Sequence, residues 1–127
     1  MSHTPTDEDL KILTLARTAR LRAHVPHGGV AEGAALRDVD GRTYAAATVQ
    51  HPDPALTTSA LRGALSAAAS SGARRFEAAA LVRQGESVLA EDDRRLLGEF
   101  AGDGLLVLLA DERGALRDTT TVTGERR

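Results

Sequence analysis

Two short apolar runs, Phe76 to Val82 and Leu105 to Ala110, constrain this chain more than any other feature. Each is bounded by charged or turn residues and is shorter than an ordinary helix. Runs of that kind read as strands covered on both faces, because a strand with one wet face alternates instead. Between them, Glu91-Asp92-Asp93 precedes Arg94-Arg95. Acids in a first turn complement the positive end of a helix dipole, so residues 90–100 are expected to be a helix. A strand, a helix and a second strand in that order belong to a layered α/β domain.

The rest of the chain fits around this unit. Thr6 and Asp9 have capping-box spacing, and Ile12, Ala16, Ala19 and Ala23 recur at helical intervals, which predicts a first helix over 6–23. Val25-Pro26 ends it, since a proline ring disfavours helical geometry in the residue before it. Residues 31–49 read as two strands joined by Asp38-Val39-Asp40-Gly41, whose Asp-Gly is a hairpin signal. A second helix is expected over 58–71, capped by Thr57 or Thr58, with Leu61, Ala64, Leu65 and Ala68 on its apolar face and Gly72 at its end. Leu116 to Val122 reads as an edge strand, and 123–127 as a tail. No linker interrupts the pattern, so 1–127 is expected to be one domain.

At 127 residues there is room for one core. With two Phe, one Tyr and no Trp, that core must be built from Ala, Leu and Val. Small side chains gain less on burial, at about 25 cal/mol per Å² of apolar area, and such chains often bury more by oligomerising. The net charge of −2 with scattered basic residues indicates neither a nucleic-acid stripe nor a membrane patch. The absence of cysteine removes disulfides, thiolate zinc sites and a cysteine nucleophile. The polar, acidic start is unlike a signal peptide, and no apolar run could span a bilayer. A cytoplasmic protein is expected.

Several strings in this order resemble the small cytidine deaminases. Ala23-x-Val25-Pro26, Gly33-Ala34-Ala35-Leu36, Asp40-Gly41-Arg42-x-Tyr44, Leu56-Thr57 and Glu99-Phe100 stand at that family's spacing from about Leu13 to Ala110. The resemblance implies a three-layer α/β/α fold with a mixed sheet of about five strands, assembled as a homodimer or homotetramer. It also implies a zinc ion that acidifies a bound water, with a glutamate that shuttles protons to a pyrimidine nucleoside.

The motifs that carry this chemistry are altered here. The family's Cys/His-Ala-Glu-Arg reads Ser59-Ala60-Leu61-Arg62, and its Pro-Cys-x-x-Cys falls on Leu89, Ala90 and Asp93. The three ligand positions therefore hold Ser59, Ala90 and Asp93, and the proton shuttle is Leu61. A hydroxyl and one carboxylate do not make the three-ligand site such catalysis needs. No zinc is expected, and the site is read as vestigial. Arg62 survives, and an Arg62–Asp93 ion pair closing the site is expected, with Leu61 filling the cavity. The nucleoside contacts implied at Val30, Thr48, Gln50 and Ala60 are worn too, since Val30 offers no ring face and Gln50 lacks the family's charge. Glu32 replaces an apolar strand residue.

Other candidates have plain explanations. His24, His27 and His51 read as surface residues, since no thiolate accompanies them. Glu91-Asp92-Asp93 reads as a solvated first turn rather than a cation site. Ser59 lacks a placed general base, so it reads as a helix-start hydroxyl. Gly28-Gly29 lacks the pattern of a phosphate cradle. The leading expectation is a non-catalytic relative with a binding, regulatory or assembly role and a possible nucleoside ligand. The competing one is a cytidine or deoxycytidine deaminase, or another hydrolase, with a relocated or unusual metal site. A structural subunit paired with an active paralogue is the third.

Overall fold

The structure, a computed structural model, describes residues 4–124. Its five strands form one mixed sheet: β1 (Glu32–Asp38), β2 (Thr43–Ala47), β3 (Phe76–Arg83), β4 (Leu105–Ala110) and β5 (Leu116–Val122). They lie in the order β2-β1-β3-β4-β5, with β3 and β4 parallel and every other neighbour antiparallel. Helix α1 (Asp7–Arg20) covers one face, and α2 (Ala60–Ser70) with α3 (Glu91–Gly98) covers the other. This is the three-layer α/β/α arrangement with a mixed sheet of five strands.

The two apolar runs become interior strands for the reason their composition suggests. Leu81 of β3, with Leu105, Val107 and Leu109 of β4, faces the α2–α3 layer. Ala80 and Val82 of β3 face α1 with Leu108 and Ala110 of β4. Burying both faces favours apolar residues along them, and the exposed Glu77 in β3 sits at a break in the register. The close fit of α1 on the sheet depends on Gly33, where an added Cβ would collide with the Ala16 carbonyl and the Arg20 backbone.

A bulge opens where Arg37 of β1 faces Ala78 while Asp38 faces Phe76, leaving Glu77 as the extra residue. Glu77 thereby comes within 3.7 Å of Arg37, whose guanidinium also meets Asp9 of α1 at 3.5 Å. In the hairpin, Asp38 accepts hydrogen bonds from the Asp40 and Arg42 N–H groups and the Tyr44 hydroxyl. Burial pushes its carboxyl up, but these bonds outweigh burial and hold it below the usual range.

Some ends differ from expectation. Helix α1 stops at Arg20 rather than 23, because the chain beyond it exchanges helical bonds for a bridge. The His24 N–H donates to the Thr48 carbonyl at 2.9 Å, and the Gln50 N–H donates to the His24 carbonyl at 2.8 Å. The cap of α2 is Ser59 rather than Thr57 or Thr58, since Thr58 pairs with Val49 in a second bridge. Helix α3 ends at Gly98, two residues early, and the Phe100 carbonyl instead accepts the Phe76 N–H. Of the expected tail, 125–127 lie outside the described residues.

Candidate functional site

Two helices begin at one corner of the molecule. Helix α2 starts behind Ser59, whose Oγ accepts the Arg62 N–H at 3.1 Å and so satisfies one free donor of the first turn. Helix α3 starts behind Ala90, which has no side chain to accept anything. Asp93, third in α3, would complete a capping box if its own helix had a hydroxyl at the cap. It reaches across instead: the Ser59 hydroxyl donates to Asp93 Oδ1 at 2.7 Å. Ser59 thus ties the two helix starts together, accepting from one and donating to the other.

Asp93 is 6% exposed. Burial pushes its carboxyl above the usual range, and the neighbouring Asp92 charge adds to that push. The Ser59 hydrogen bond and the positive charge of Arg62 oppose it without cancelling it. Leu61 lies in the α2–α3 core with Leu36, Leu81 and Leu89, and Ala60 beside it is fully buried. Ser59, Leu61, Ala90 and Asp93 are all residues of the opening turns or caps of α2 and α3.

Glu32 joins this corner from the sheet. Its Oε2 lies 3.5 Å from Arg83 Nη1, its register partner on β3. Burial raises its carboxyl, Arg83 lowers it, and the charge of Asp93 raises it again. Arg83 was not singled out from the sequence. The signal available was a Glu opening one strand and an Arg closing another, and the antiparallel register that makes them partners is set by the sheet.

Of the implied nucleoside contacts, Thr48 and Gln50 bond to the protein's own backbone. Thr48 Oγ1 accepts the Glu32 N–H at 3.1 Å, which pins the segment after β2 to the start of β1. Gln50 braces the loop at 27–28: its Oε1 accepts the His27 N–H at 2.8 Å, and its Nε2 donates to the Gly28 carbonyl at 2.7 Å. Gly28 has a φ of 82°, a left-handed conformation that suits glycine in this turn. Val30 is 46% exposed. His24, His27 and His51 are exposed, and among the described residues no group of His, Asp and Glu is gathered as a metal site would require.

Residues 5–114 match the model of the family described as cytidine deaminase-like. The chain belongs to the cytidine deaminase-like family. It is 30% identical over 112 residues to a cytidine deaminase of Sporosarcina psychrophila, covering 87% of this chain and 82% of the relative. Its fold is similar to the crystal structure of cytidine deaminase from Burkholderia pseudomallei, at 27% identity with a TM-score of 0.82, covering 96% and 94% of the two chains. It is also similar to the cytidine deaminase of Mycobacterium tuberculosis, at 29% identity with a TM-score of 0.71, covering 76% and 80%.

For this cytidine deaminase-like chain one expectation needs correcting. The Arg62–Asp93 ion pair does not form. Asp93 takes the Ser59 hydroxyl as its direct partner, and Arg62, exposed at the helix surface, acts on it only through its charge. A serine at the cap stands one short bond from the carboxylate, whereas a guanidinium there would lose rotamer freedom for a gain that water screens.

Proposed function

We propose that this cytidine deaminase-like protein is non-catalytic, holds no zinc at the Ser59–Ala90–Asp93 corner, and acts by binding, regulation or assembly as a homodimer or homotetramer. The observation that carries this reading is the 2.7 Å bond from Ser59 Oγ to Asp93 Oδ1. The hydroxyl and carboxylate that would face a metal spend their bonding on each other, and Ala90 contributes only a methyl group. Such a donor set does not fit zinc, which needs three protein ligands in a catalytic site. Leu61, 2% exposed, has no group that can carry a proton between water and a ring. Thr48 and Gln50 supply their polar atoms to the protein backbone, which argues against a nucleoside clamp in this conformation.

The test is a metal analysis of protein purified with zinc present, together with cytidine and deoxycytidine deamination assays. Substoichiometric zinc and no turnover are expected. Stoichiometric zinc accompanied by turnover that a chelator abolishes would overturn the reading and favour the alternative, a deaminase with a relocated metal site. What speaks for that alternative is the 30% identity to the cytidine deaminase of Sporosarcina psychrophila. A thermal-shift screen of nucleosides separates a binding role from pure assembly, since a saturating ligand raises stability.

A further inference from the structure

The two edges of the sheet are guarded unequally. Edge strand β5 carries Arg117 and Asp118, and its register with β4 breaks between Leu109 and Ala110, which leaves Arg117 as an extra residue. Charges and a bulge on an edge discourage pairing with another strand. Edge strand β2 reads Thr-Tyr-Ala-Ala-Ala, with no charge, no proline and an unbroken register against β1.

The hydrogen-bond pattern says which groups of β2 are free. The Thr48 N–H donates to the Glu32 carbonyl and the Asp38 N–H to the Arg42 carbonyl, so the residues in phase with these, Tyr44 and Ala46, bond to β1. The N–H and carbonyl groups of Thr43, Ala45 and Ala47 point away from the sheet, and among the described residues they find no partner. Beside this strand, α1 carries a mainly apolar groove lined by Asp7, Leu10, Lys11, Thr14, Leu15 and Thr43. Leu10 and Leu15 are 49% and 38% exposed.

We propose that β2 and this groove form the surface on which a second copy of the chain docks, the two β2 strands pairing antiparallel across a two-fold axis at Ala45. The occupant follows from self-complementarity. The free groups at 43, 45 and 47 are symmetric about Ala45, so one axis there sets Thr43 against the partner's Ala47 and satisfies every outward group on both copies. The axis stands normal to the sheet, so both α1 helices lie on the same face and run antiparallel, each turning its Leu10–Leu15 groove to the other. Acids open α1 (Asp7, Glu8) and bases close it (Arg17, Arg20). The antiparallel arrangement therefore brings acidic and basic turns toward one another. This deepens the oligomeric part of the proposed function and rests on it.

The experiment measures native mass across a concentration series for the full chain, for Ala45→Pro and for Leu15→Lys, with amide exchange on each. Ala45→Pro removes an outward N–H that β1 does not use, which an edge strand tolerates. A two-chain or four-chain wild type is expected, with Thr43, Ala45 and Ala47 amides as protected as those of Tyr44 and Ala46. Both variants should dissociate at concentrations at least tenfold higher than the wild type does. If Ala45→Pro fails to fold, Leu15→Lys and the exchange pattern decide. An assembly that survives in the folded variants with 43, 45 and 47 unprotected overturns this interface but leaves the oligomeric reading standing. A wild type that stays a single chain overturns both.

Discussion

Asp9 and Asp93 occupy the same local position, third in a helix, and both are almost fully buried. Their partners differ. Helix α1 begins behind Thr6, so Asp9 completes a reciprocal capping box: its carboxylate accepts the Thr6 N–H at 3.1 Å while Thr6 Oγ1 accepts the Asp9 N–H at 3.1 Å. It then pairs with Arg37 beneath the helix. Helix α3 begins behind Ala90, and Asp93, with no hydroxyl of its own helix to answer it, binds Ser59 of α2. A carboxylate at this position serves its own helix when the cap residue is polar, and serves a neighbour when it is not. In the first place it joins a helix to the sheet, and in the second it joins the starts of two helices.

The largest effect that could break this comparison is Asp9→Ala. Among the described residues it leaves the Arg37 guanidinium, 11% exposed, with Glu77 at 3.7 Å as its remaining ion-pair partner, and there Arg37 Nη1 already lacks a hydrogen bond. Removing one member of a buried pair costs about 3–5 kcal/mol, and urea denaturation should find a loss in that range. A loss below about 1 kcal/mol would mean the buried charge is already satisfied another way. Ser59→Ala comes next, at about 2 kcal/mol, because it removes a helix cap and Asp93's hydrogen-bond partner together. In an Asp93→Ala background the same change should cost only about 1 kcal/mol, the capping part alone. Equal costs in both backgrounds would show that the cross-helix bond contributes nothing.

Ala90→Ser would sharpen the comparison by giving α3 the hydroxyl it lacks. It should stabilise by about 0.5–1 kcal/mol, read as a higher melting temperature. It should also shrink the cost of Ser59→Ala, since Asp93 is then drawn back to its own helix. The smallest effect is in pH dependence. Asp93 has a folded pKa raised above its ordinary value of 3.8, so its contribution is fully present below that value and is lost as pH rises through the folded one. Asp38 and Asp111, held low by their hydrogen bonds against the opposing effect of burial, have the opposite sign: their contribution is present above 3.8 and lost as pH falls through the folded value. Asp93→Asn should therefore remove a loss of stability that the wild type shows as pH rises above 3.8. An unchanged slope would show that Asp93 titrates alike in the folded and unfolded chain.

Most of the fold was legible because its signals are local. The apolar runs at 76–82 and 105–110, the Asp-Gly turn at 40–41 and the Thr6–Asp9 box each act over a few residues. The end of α1 was not, because His24 leaves the helix for Thr48 and Gln50, which are remote in sequence. The candidate site divides in the same way. Its positions at the starts of α2 and α3 could be placed from the resemblance to the small cytidine deaminases, but the bond between Ser59 and Asp93 spans 34 residues. No local rule ranks a serine above an arginine as the partner. The Glu32–Arg83 pair was equally hidden, since only the β1–β3 register makes those residues neighbours.

By itself, the order of residues determined which segments become strands or helices, because periodicity and capping are short-range preferences of the backbone, while the side chains at the corner were placed by the resemblance to the small cytidine deaminases. Only the folded chain decided which of those side chains touch, since that depends on how two helices are seated on a twisted sheet and on which donor is nearest once water is excluded. The bare edge at Thr43–Ala47 is a result of the same kind: its composition is written in the sequence, but its place at the rim of the sheet was settled by the packing of everything else.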